Sequence, residues 1–214
     1  VEVQLFKATL KESYIESQTF FDKDKKVQFW SDIDSLECRF INFKIIPYQV
    51  WYCQELQYLD LSWNEIEYLP IDIIKLKRLQ YLDLSVNDLK NLPIQIIELR
   101  DLQNLNLGAN LKLDIVDTFK KLVRFNRLQT LNLYGNNLIS LPPQIGELKT
   151  LQNLDLSGNP QLDFTDVFIK LKTLKNLTNL NLSGNKLEIL PTKIDELQNL
   201  RDLDLGWNPQ LDFI

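Results

Sequence analysis

The stretch LQYLDLSWNEIEYLPIDIIKLKR at residues 56–78 is followed at residues 79–101 by LQYLDLSVNDLKNLPIQIIELRD, which is nearly a copy of it. Further copies begin at Leu102, Leu128, Leu151, Leu177 and Leu200. Every copy carries one asparagine at the same place, and successive asparagines are 23 or 26 residues apart. The seven are Asn64, Asn87, Asn110, Asn136, Asn159, Asn185 and Asn208. A period of this length indicates a stack of similar structural units.

The leucine spacing within each copy predicts one short strand. In the pattern L-x-x-L-x-L the last two leucines lie two residues apart, so both point to the same side of an extended segment. One such strand cannot bury its leucines, whereas stacked strands form a continuous core. We expect the repeated asparagine to form a buried ladder, because its amide can satisfy backbone groups that would otherwise cost about 1–3 kcal/mol each.

Short and long copies differ in the segment after the asparagine. Short copies continue with Leu-Pro, as at residues 69–70, where a missing N–H is tolerated and the proline fixes the direction of the chain. Long copies replace Leu-Pro with a longer segment, as in NPQLDFTDVFIKLKTLKNL at residues 159–177. The final NPQLDFI repeats the start of that segment, which predicts that the natural protein continues. The absence of methionine and the start at Val1 likewise indicate a processed or partial chain.

Residues 56–214 closely resemble the leucine-rich repeat family in its 23-residue form, LxxLxLxxNxLxxLPxxIxxL. The resemblance implies an α/β fold, a curved right-handed solenoid (horseshoe) whose parallel β-sheet lines the concave side. A degenerate first repeat fits residues 33–55, although Ile41 takes the place of the asparagine. Its expected core residues are Ile33, Leu36, Cys38, Phe43, Ile46, Pro47, Val50 and Cys53. We expect both cysteines to be buried, reduced thiols, with a local disulfide as the alternative.

Residues 1–32 are predicted to cap the open end of the stack, because an exposed leucine core invites association. Within VQLFKATLKESYIESQTFFD, at residues 3–22, an apolar residue recurs every five positions. This pattern resembles the pentapeptide-repeat family, which implies a β-helical cap, and an amphipathic helix fits the same residues. Trp30 is expected to pack under the first coil.

Composition excludes most kinds of chemistry. The chain has no histidine, which removes every catalytic or metal site that needs an imidazole. Its net charge of −5 disfavours nucleic acid as a partner, and no apolar run approaches the roughly 20 residues that cross a membrane. Two cysteines are too few for a cysteine-only zinc site, and no glycine-rich phosphate loop occurs. We therefore expect no catalytic residue, no cofactor and no metal ion.

The best candidates for binding flank the strand leucines on the concave face. Tyr58 and Tyr81 should lie side by side on neighbouring strands, with Trp63 beside them. Later units place small polar residues or glycine in these positions, so the aromatic residues gather near one end. The proposed binding residues are Phe40, Tyr58, Asp60, Trp63, Tyr81 and Asp83. An alternative is that these aromatics pack on the N-terminal cap.

Two further features are interpreted as surface properties. The regular Asp or Asn between the strand leucines is interpreted as a solvated face, because a row of equivalent acids lacks the unlike environments that acid–base catalysis needs. Tyr134 and Trp207 are interpreted as isolated surface residues.

The sequence predicts a non-enzymatic protein–protein interaction module that binds a protein partner on its concave face. The LPxxIxxL form resembles that of bacterial proteins, which favours a secreted or cell-surface adhesin or effector of a bacterium. One alternative is the recognition half of a larger enzyme, such as a Roco-type GTPase or a ubiquitin ligase. Another is a structural scaffold. We expect a monomer, or weak self-association through the C-terminal coil, without membrane insertion.

Overall fold

The computed structural model describes residues 32–212, which form one parallel β-sheet of eight strands. Each strand has three residues, and each pairs with the next along the chain. The strands are β1 Ser35–Glu37, β2 Tyr58–Asp60, β3 Tyr81–Asp83, β4 Asn104–Asn106, β5 Thr130–Asn132, β6 Asn153–Asp155, β7 Asn179–Asn181 and β8 Asp202–Asp204. This sequential order of parallel strands confirms the predicted leucine-rich repeat horseshoe.

The repeat period sets the strand register. Leu36 of β1 lies opposite Leu59 of β2, and Leu59 lies opposite Leu82 of β3, so equivalent leucines form rows that run through the stack. These rows are buried and continue into the leucines after each strand, such as Leu61 and Leu84. Each coil thus covers the apolar side chains of the one before it, which is how a unit too small to fold alone becomes stable.

The returns between strands are short helices of two kinds. In five coils a proline starts a 3-10 helix, since its fixed φ suits the first position and its missing N–H is not needed there. These 3-10 helices are Tyr48–Tyr52, Ile71–Lys75, Ile94–Glu98, Pro143–Glu147 and Thr192–Glu196.

The two long copies form α-helices instead, α1 Ile115–Leu122 and α2 Phe164–Leu171. Each begins after an aspartate whose carboxylate accepts backbone N–H groups of the first turn: Asp114 accepts from Asp117, and Asp163 accepts from Thr165 and Asp166. Phe119 and Phe168 turn the apolar side of these helices into the core. The additional residues of a long copy are therefore used to complete an α-helix.

The repeated asparagines follow the strands as a buried row that connects neighbouring coils. Asn159 is typical. Its side-chain amide donates to the carbonyls of Leu133, Leu156 and Ser157 at 3.0–3.1 Å, and its Oδ1 accepts from the N–H groups of Asn136 and Leu138 at 3.0 and 3.1 Å. The bonds run both within the coil of Asn159 and to the coil before it. One side chain therefore bonds five backbone groups, and each of the three carbonyls also accepts a second hydrogen bond, as Ser157 does from the N–H of Gly135 at 2.9 Å.

The first described coil is in register with the repeats after it. Asn64 of the second coil donates to the carbonyl of Cys38 and accepts from the N–H groups of Ile41 and Phe43. The coil without its own asparagine is therefore served by that of its neighbour. Cys38 and Cys53 are both buried, and neither forms a disulfide, as predicted. The expected cap at residues 1–32, the pentapeptide-like pattern and Trp30 lie outside the described residues, apart from Asp32.

Alkaline pH should weaken this first coil. Burial raises the pKa of the Cys53 thiol to about 12, so the folded state keeps a proton that the unfolded state loses from about pH 9. The free energy of unfolding should therefore be unaffected by this group below about pH 9 and fall between that pH and about 12. Urea denaturation at neutral pH and at about pH 10.5 measures the fall. A Cys53→Ala variant should show a smaller fall, and an identical fall would contradict the assignment to Cys53.

Within residues 32–212, no helix is both long enough and apolar enough to cross a membrane.

Candidate functional site

The concave face is formed by the residues that flank the strand leucines, together with the residue two positions after each strand. In the second coil these are Tyr58, Asp60 and Ser62, and the equivalent positions of eight coils form three parallel rows. Since the leucine between them points inwards, the flanking side chains point outwards. This face is the part of the fold on which neighbouring coils place chemically varied side chains side by side.

The middle row of Asp and Asn ends the strands. In seven coils its Oδ1 accepts the backbone N–H of the residue two positions later; for example, Ser62 donates to Asp60 at 2.9 Å and Gly108 donates to Asn106 at 3.0 Å. Short side chains with this acceptor are suited to such turns. The interpretation of this row as a solvated face was wrong for Asp60 and Asp83, which are buried. Their carboxylates are used by the protein itself.

Asp60 and Asp83 hold their neighbours in place. Asp60 is only 1% exposed, and its Oδ2 lies 2.5 Å from Nε of Arg39, which raises the pKa of that guanidinium. Asp83 accepts hydrogen bonds from Ser85, from the Asn106 amide at 2.9 Å and from the Tyr81 hydroxyl at 3.3 Å. The structure therefore places these two acids beneath the surface, where they orient the side chains that a partner would meet.

Tyr58 and Tyr81 stack on each other across β2 and β3, as the repeat pattern predicts. Their ring centroids are 4.4 Å apart, and the ring planes differ by 9°. Burial raises the pKa of both hydroxyls, and the nearest carboxylates, Asp60 and Asp83 respectively, raise them further. Both phenols therefore stay protonated at neutral pH and form a flat, neutral aromatic platform.

Phe40 and Trp63 form an exposed aromatic pair beside this platform. Their ring centroids are 5.1 Å apart, and the residues are 66% and 50% exposed. Both have positive φ, 57° and 56°. The equivalent position is occupied by Gly135, Gly158 and Gly184 in three later coils, also at positive φ. Bulky residues are costly in this conformation, so two large side chains stand exposed at a position where the backbone favours glycine.

Tyr134 belongs to the same surface, so its interpretation as an isolated residue was wrong. Its ring lies across Gly108 of the previous coil, where a methyl group would overlap the ring. Burial raises the pKa of its hydroxyl, while a hydrogen bond with Ser85 two coils away offsets part of that rise. The sequence signal for this contact was the glycine at position 108, which leaves room for the ring.

A double-mutant cycle tests the contact between Gly108 and Tyr134. Gly108→Ala should lower the free energy of unfolding by about 1–2 kcal/mol, because the new methyl group displaces the tyrosine. In a Tyr134→Ala background the same change should be neutral or slightly stabilising, since alanine reduces the entropy of the unfolded chain. Urea denaturation of the four proteins gives the coupling, expected to be at least about 1 kcal/mol. Additive effects would contradict the placement of Tyr134.

The far end of the concave face is polar. A shallow groove across β5 to β8 is lined by carboxylates, amides and one hydroxyl, with strand leucines beneath. Its polar lining residues are Thr130, Asn132, Asn153, Asp155, Asn179, Asn181, Asp202 and Asp204. Trp207, which follows β8 in the position of Trp63, is 89% exposed. Among residues 32–212, no group of three or more cysteine or carboxylate side chains is arranged to hold a metal ion.

Family models for leucine-rich repeats match residues 52–68, 126–174 and 176–197. These matches fall on coils that carry the leucine rows and the asparagine ladder. The chain belongs to the leucine-rich repeat family. Leucine-rich repeat folds generally serve as protein–protein interaction modules, and proteins of this kind are typically non-enzymatic. No curated protein sequence matches the chain.

Three solved structures of leucine-rich repeat proteins are similar to this one. A leucine-rich repeat protein of Leptospira interrogans is 31% identical, with a TM-score of 0.59 over 88% of this chain and 58% of its own. A plant peptide hormone receptor in complex with RGF2 is 31% identical, with a TM-score of 0.52 over 75% of this chain and 26% of its own. Internalin C2 of Listeria monocytogenes is 22% identical, with a TM-score of 0.60 over 84% of both chains, and shows the fold alone. The chain thus spans less than two thirds of the first two proteins.

Proposed function

We propose that this leucine-rich repeat chain binds a protein partner on its concave face and that Phe40 and Trp63 anchor the partner. The observation that carries the proposal is the exposure of both rings at positive φ, in a position that three later coils fill with glycine. Side chains that pack little of their surface and strain the backbone contribute little to the fold. Their retention is accounted for by contact with a partner.

The surroundings of the pair suit a binding centre. The stacked Tyr58 and Tyr81 provide a rigid floor, since hydrogen bonding and stacking already restrict their rotation. Arg39 lies at the border, with its guanidinium oriented by Asp60. Tryptophan, tyrosine and arginine are the residues in which binding energy most often concentrates at protein interfaces. A preorganised surface of this composition also loses little entropy when a partner binds.

The comparisons support a role in recognition and favour a bacterial source. The plant protein of similar structure is a receptor in complex with RGF2. The leucine-rich repeat protein of similar structure that is also 31% identical comes from the bacterium Leptospira interrogans. We propose that this chain is part of a bacterial surface or secreted protein that contacts another protein through this face.

A paired capture experiment tests the anchor. The parent chain and a Phe40→Gly, Trp63→Gly variant are immobilised, and proteins retained from the same extract are quantified by mass spectrometry. An Ile139→Ala, Ile189→Ala variant is the control, because it removes two exposed apolar side chains that lie outside the rows of the concave face. Proteins retained by the parent and the control but lost by the Phe40→Gly, Trp63→Gly variant would identify the partner. Retention by all three would overturn the assignment.

A further inference from the structure

The concave face has a charge distribution unlike that of the whole chain. The full sequence has 24 basic and 29 acidic residues, which is close to balance. The three rows of the concave face, in contrast, contain six carboxylates and one cation, Arg39. The carboxylates are Glu37, Asp60, Asp83, Asp155, Asp202 and Asp204.

The basic residues lie on a different side of the solenoid. They gather in the turns that lead into the strands, where their side chains are exposed. Examples are Lys77, Arg100, Lys149, Lys175 and Arg201. The one cation on the concave face, Arg39, is paired with the buried Asp60. Acidic residues share these turns and pair with the basic ones, as Glu55 does with Arg78 and Glu98 with Arg100, so the turns are mixed in charge. The excess of one sign lies on the sheet face, where a docking partner meets a negative surface.

Three accessible carboxylates lie away from the aromatic anchor, whereas the half-buried Glu37 lies on β1. Asp202 and Asp204 are exposed and Asp155 is half-buried, all along the groove across β5 to β8. The amide groups beside them point sideways: Asn132 donates to Asp155 at 3.2 Å, and Asn179 donates to Asp202 at 2.8 Å. The exposed ring of Trp207 is on the same coil as Asp202 and Asp204. A cationic side chain would meet carboxylates and an aromatic face together.

We infer that the partner places a segment rich in lysine or arginine along β5 to β8 of the concave face, while an apolar part of it contacts Phe40 and Trp63. The inference rests on the proposed function and specifies the chemistry of the partner. Charge complementarity carries it, because along β5 to β8 the face is an unpartnered sheet whose charges, Asp155, Asp202 and Asp204, are all negative. A neutral or acidic segment would remove water from these carboxylates and would provide no cation to compensate for the lost hydration.

Neutral substitutions can test the charge without disturbing the fold. Asn106, Asn132 and Asn181 accept the same backbone N–H that Asp155 and Asp204 accept in their coils, so asparagine forms this turn equally well. The test protein is Asp155→Asn, Asp202→Asn, Asp204→Asn. The control is Glu147→Gln, Glu188→Gln, Asp195→Asn, which removes three exposed charges that lie outside the concave rows, in the neighbouring coils of β5 and β7.

The probe is a fluorescein-labelled (Arg-Gly-Ser)4 peptide, with (Gln-Gly-Ser)4 as its uncharged counterpart, and binding is followed by fluorescence anisotropy. We expect the arginine peptide to bind the parent at about 20 mM salt and to weaken at about 150 mM, as screening requires. The concave variant should bind roughly tenfold more weakly, and the control should stay within about twofold of the parent. Equal weakening in both variants, or equal binding of the two peptides, would overturn the inference.

Two further comparisons distinguish this inference from the proposed aromatic anchor and from self-association of the chain. The arginine peptide has no apolar anchor, so its binding tests the charge alone, whereas the capture experiment with Phe40→Gly, Trp63→Gly tests the aromatic anchor. Failure of the anchor and failure of the charge inference are therefore distinguishable. Analytical ultracentrifugation at the same salt concentration measures whether a second copy of this chain docks on the concave face through its own lysine- and arginine-bearing turns. Self-association that the concave variant abolishes would overturn the assignment to a different protein.

Discussion

Replacing Asn159 with alanine should lower the free energy of unfolding by about 3–5 kcal/mol, one of the largest single-residue effects expected in this chain. The side chain is fully buried and makes five hydrogen bonds to backbone groups. Alanine removes all five bonds; the three carbonyls each keep a second one, whereas the N–H groups of Asn136 and Leu138 keep none. Each buried group left unsatisfied costs about 1–3 kcal/mol. Water that enters the cavity and relaxation of the coils offset part of this free-energy cost. Urea denaturation followed by circular dichroism measures the loss.

Asn91→Ala is the matched control for this experiment. Asn91 is exposed, and alanine there should change the free energy of unfolding by less than about 0.5 kcal/mol. Asn159→Asp adds a second test of the same role, since aspartate keeps the acceptor but lacks the amide donors and buries a charge. It should be at least as destabilising as alanine at neutral pH. A loss below about 1 kcal/mol for Asn159→Ala would show that the ladder contributes little to stability.

The sequence predicted the stack so well because each coil depends mainly on its neighbours. The rows of Leu36, Leu59 and Leu82, and of the asparagines, recur at the period of the sequence, so contacts between coils repeat at the same interval. Reading the period was therefore equivalent to reading the strand register.

The sequence was less informative where a contact crosses from one repeat to another at a position that varies. Tyr134 reaches over Gly108 to Ser85, which combines three different coils. Within a single coil the only sign of it is the glycine at position 108, which does not say which ring lies over it. The long copies were recognised as longer segments, but the helices α1 and α2 were not predicted. The capping residues Asp114 and Asp163, followed by apolar residues at helical spacing, were the available signal.

The Asp and Asn row shows a different reason for error. A charged residue in a regular position was interpreted as solvated, yet the turn after each strand needs an acceptor there, and Asp60 is buried to supply it. Asn106, in the same row, accepts the same turn hydrogen bond without a charge. This was the sign that the position needs a side-chain acceptor and does not need a negative charge. Burial of a carboxylate is acceptable because its partners, Arg39 and the Ser62 N–H, are supplied by the surrounding coils.

Trp63→Gly should separate binding from stability. Removing the ring should weaken binding of the partner by about 2 kcal/mol or more, which is roughly thirtyfold in Kd, as expected for a central aromatic anchor. The free energy of unfolding should change by less than about 1 kcal/mol, because relief of the positive-φ strain, worth about 1–2 kcal/mol, offsets the lost contact with Phe40 and the added freedom of the unfolded chain. Surface plasmon resonance against the captured partner and urea denaturation give the two quantities.

Trp51→Ala gives the contrast that makes this result interpretable. Trp51 is buried in the first described coil, so its truncation should cost about 3–5 kcal/mol through loss of packing. If Trp63→Gly also cost that much, the ring would be part of the core, and the alternative in which the aromatics serve packing would be favoured. If it changed neither stability nor binding, the strained conformation would have no function at this position. Only a loss of binding with an unchanged fold agrees with a side chain held at positive φ for its contact with a partner.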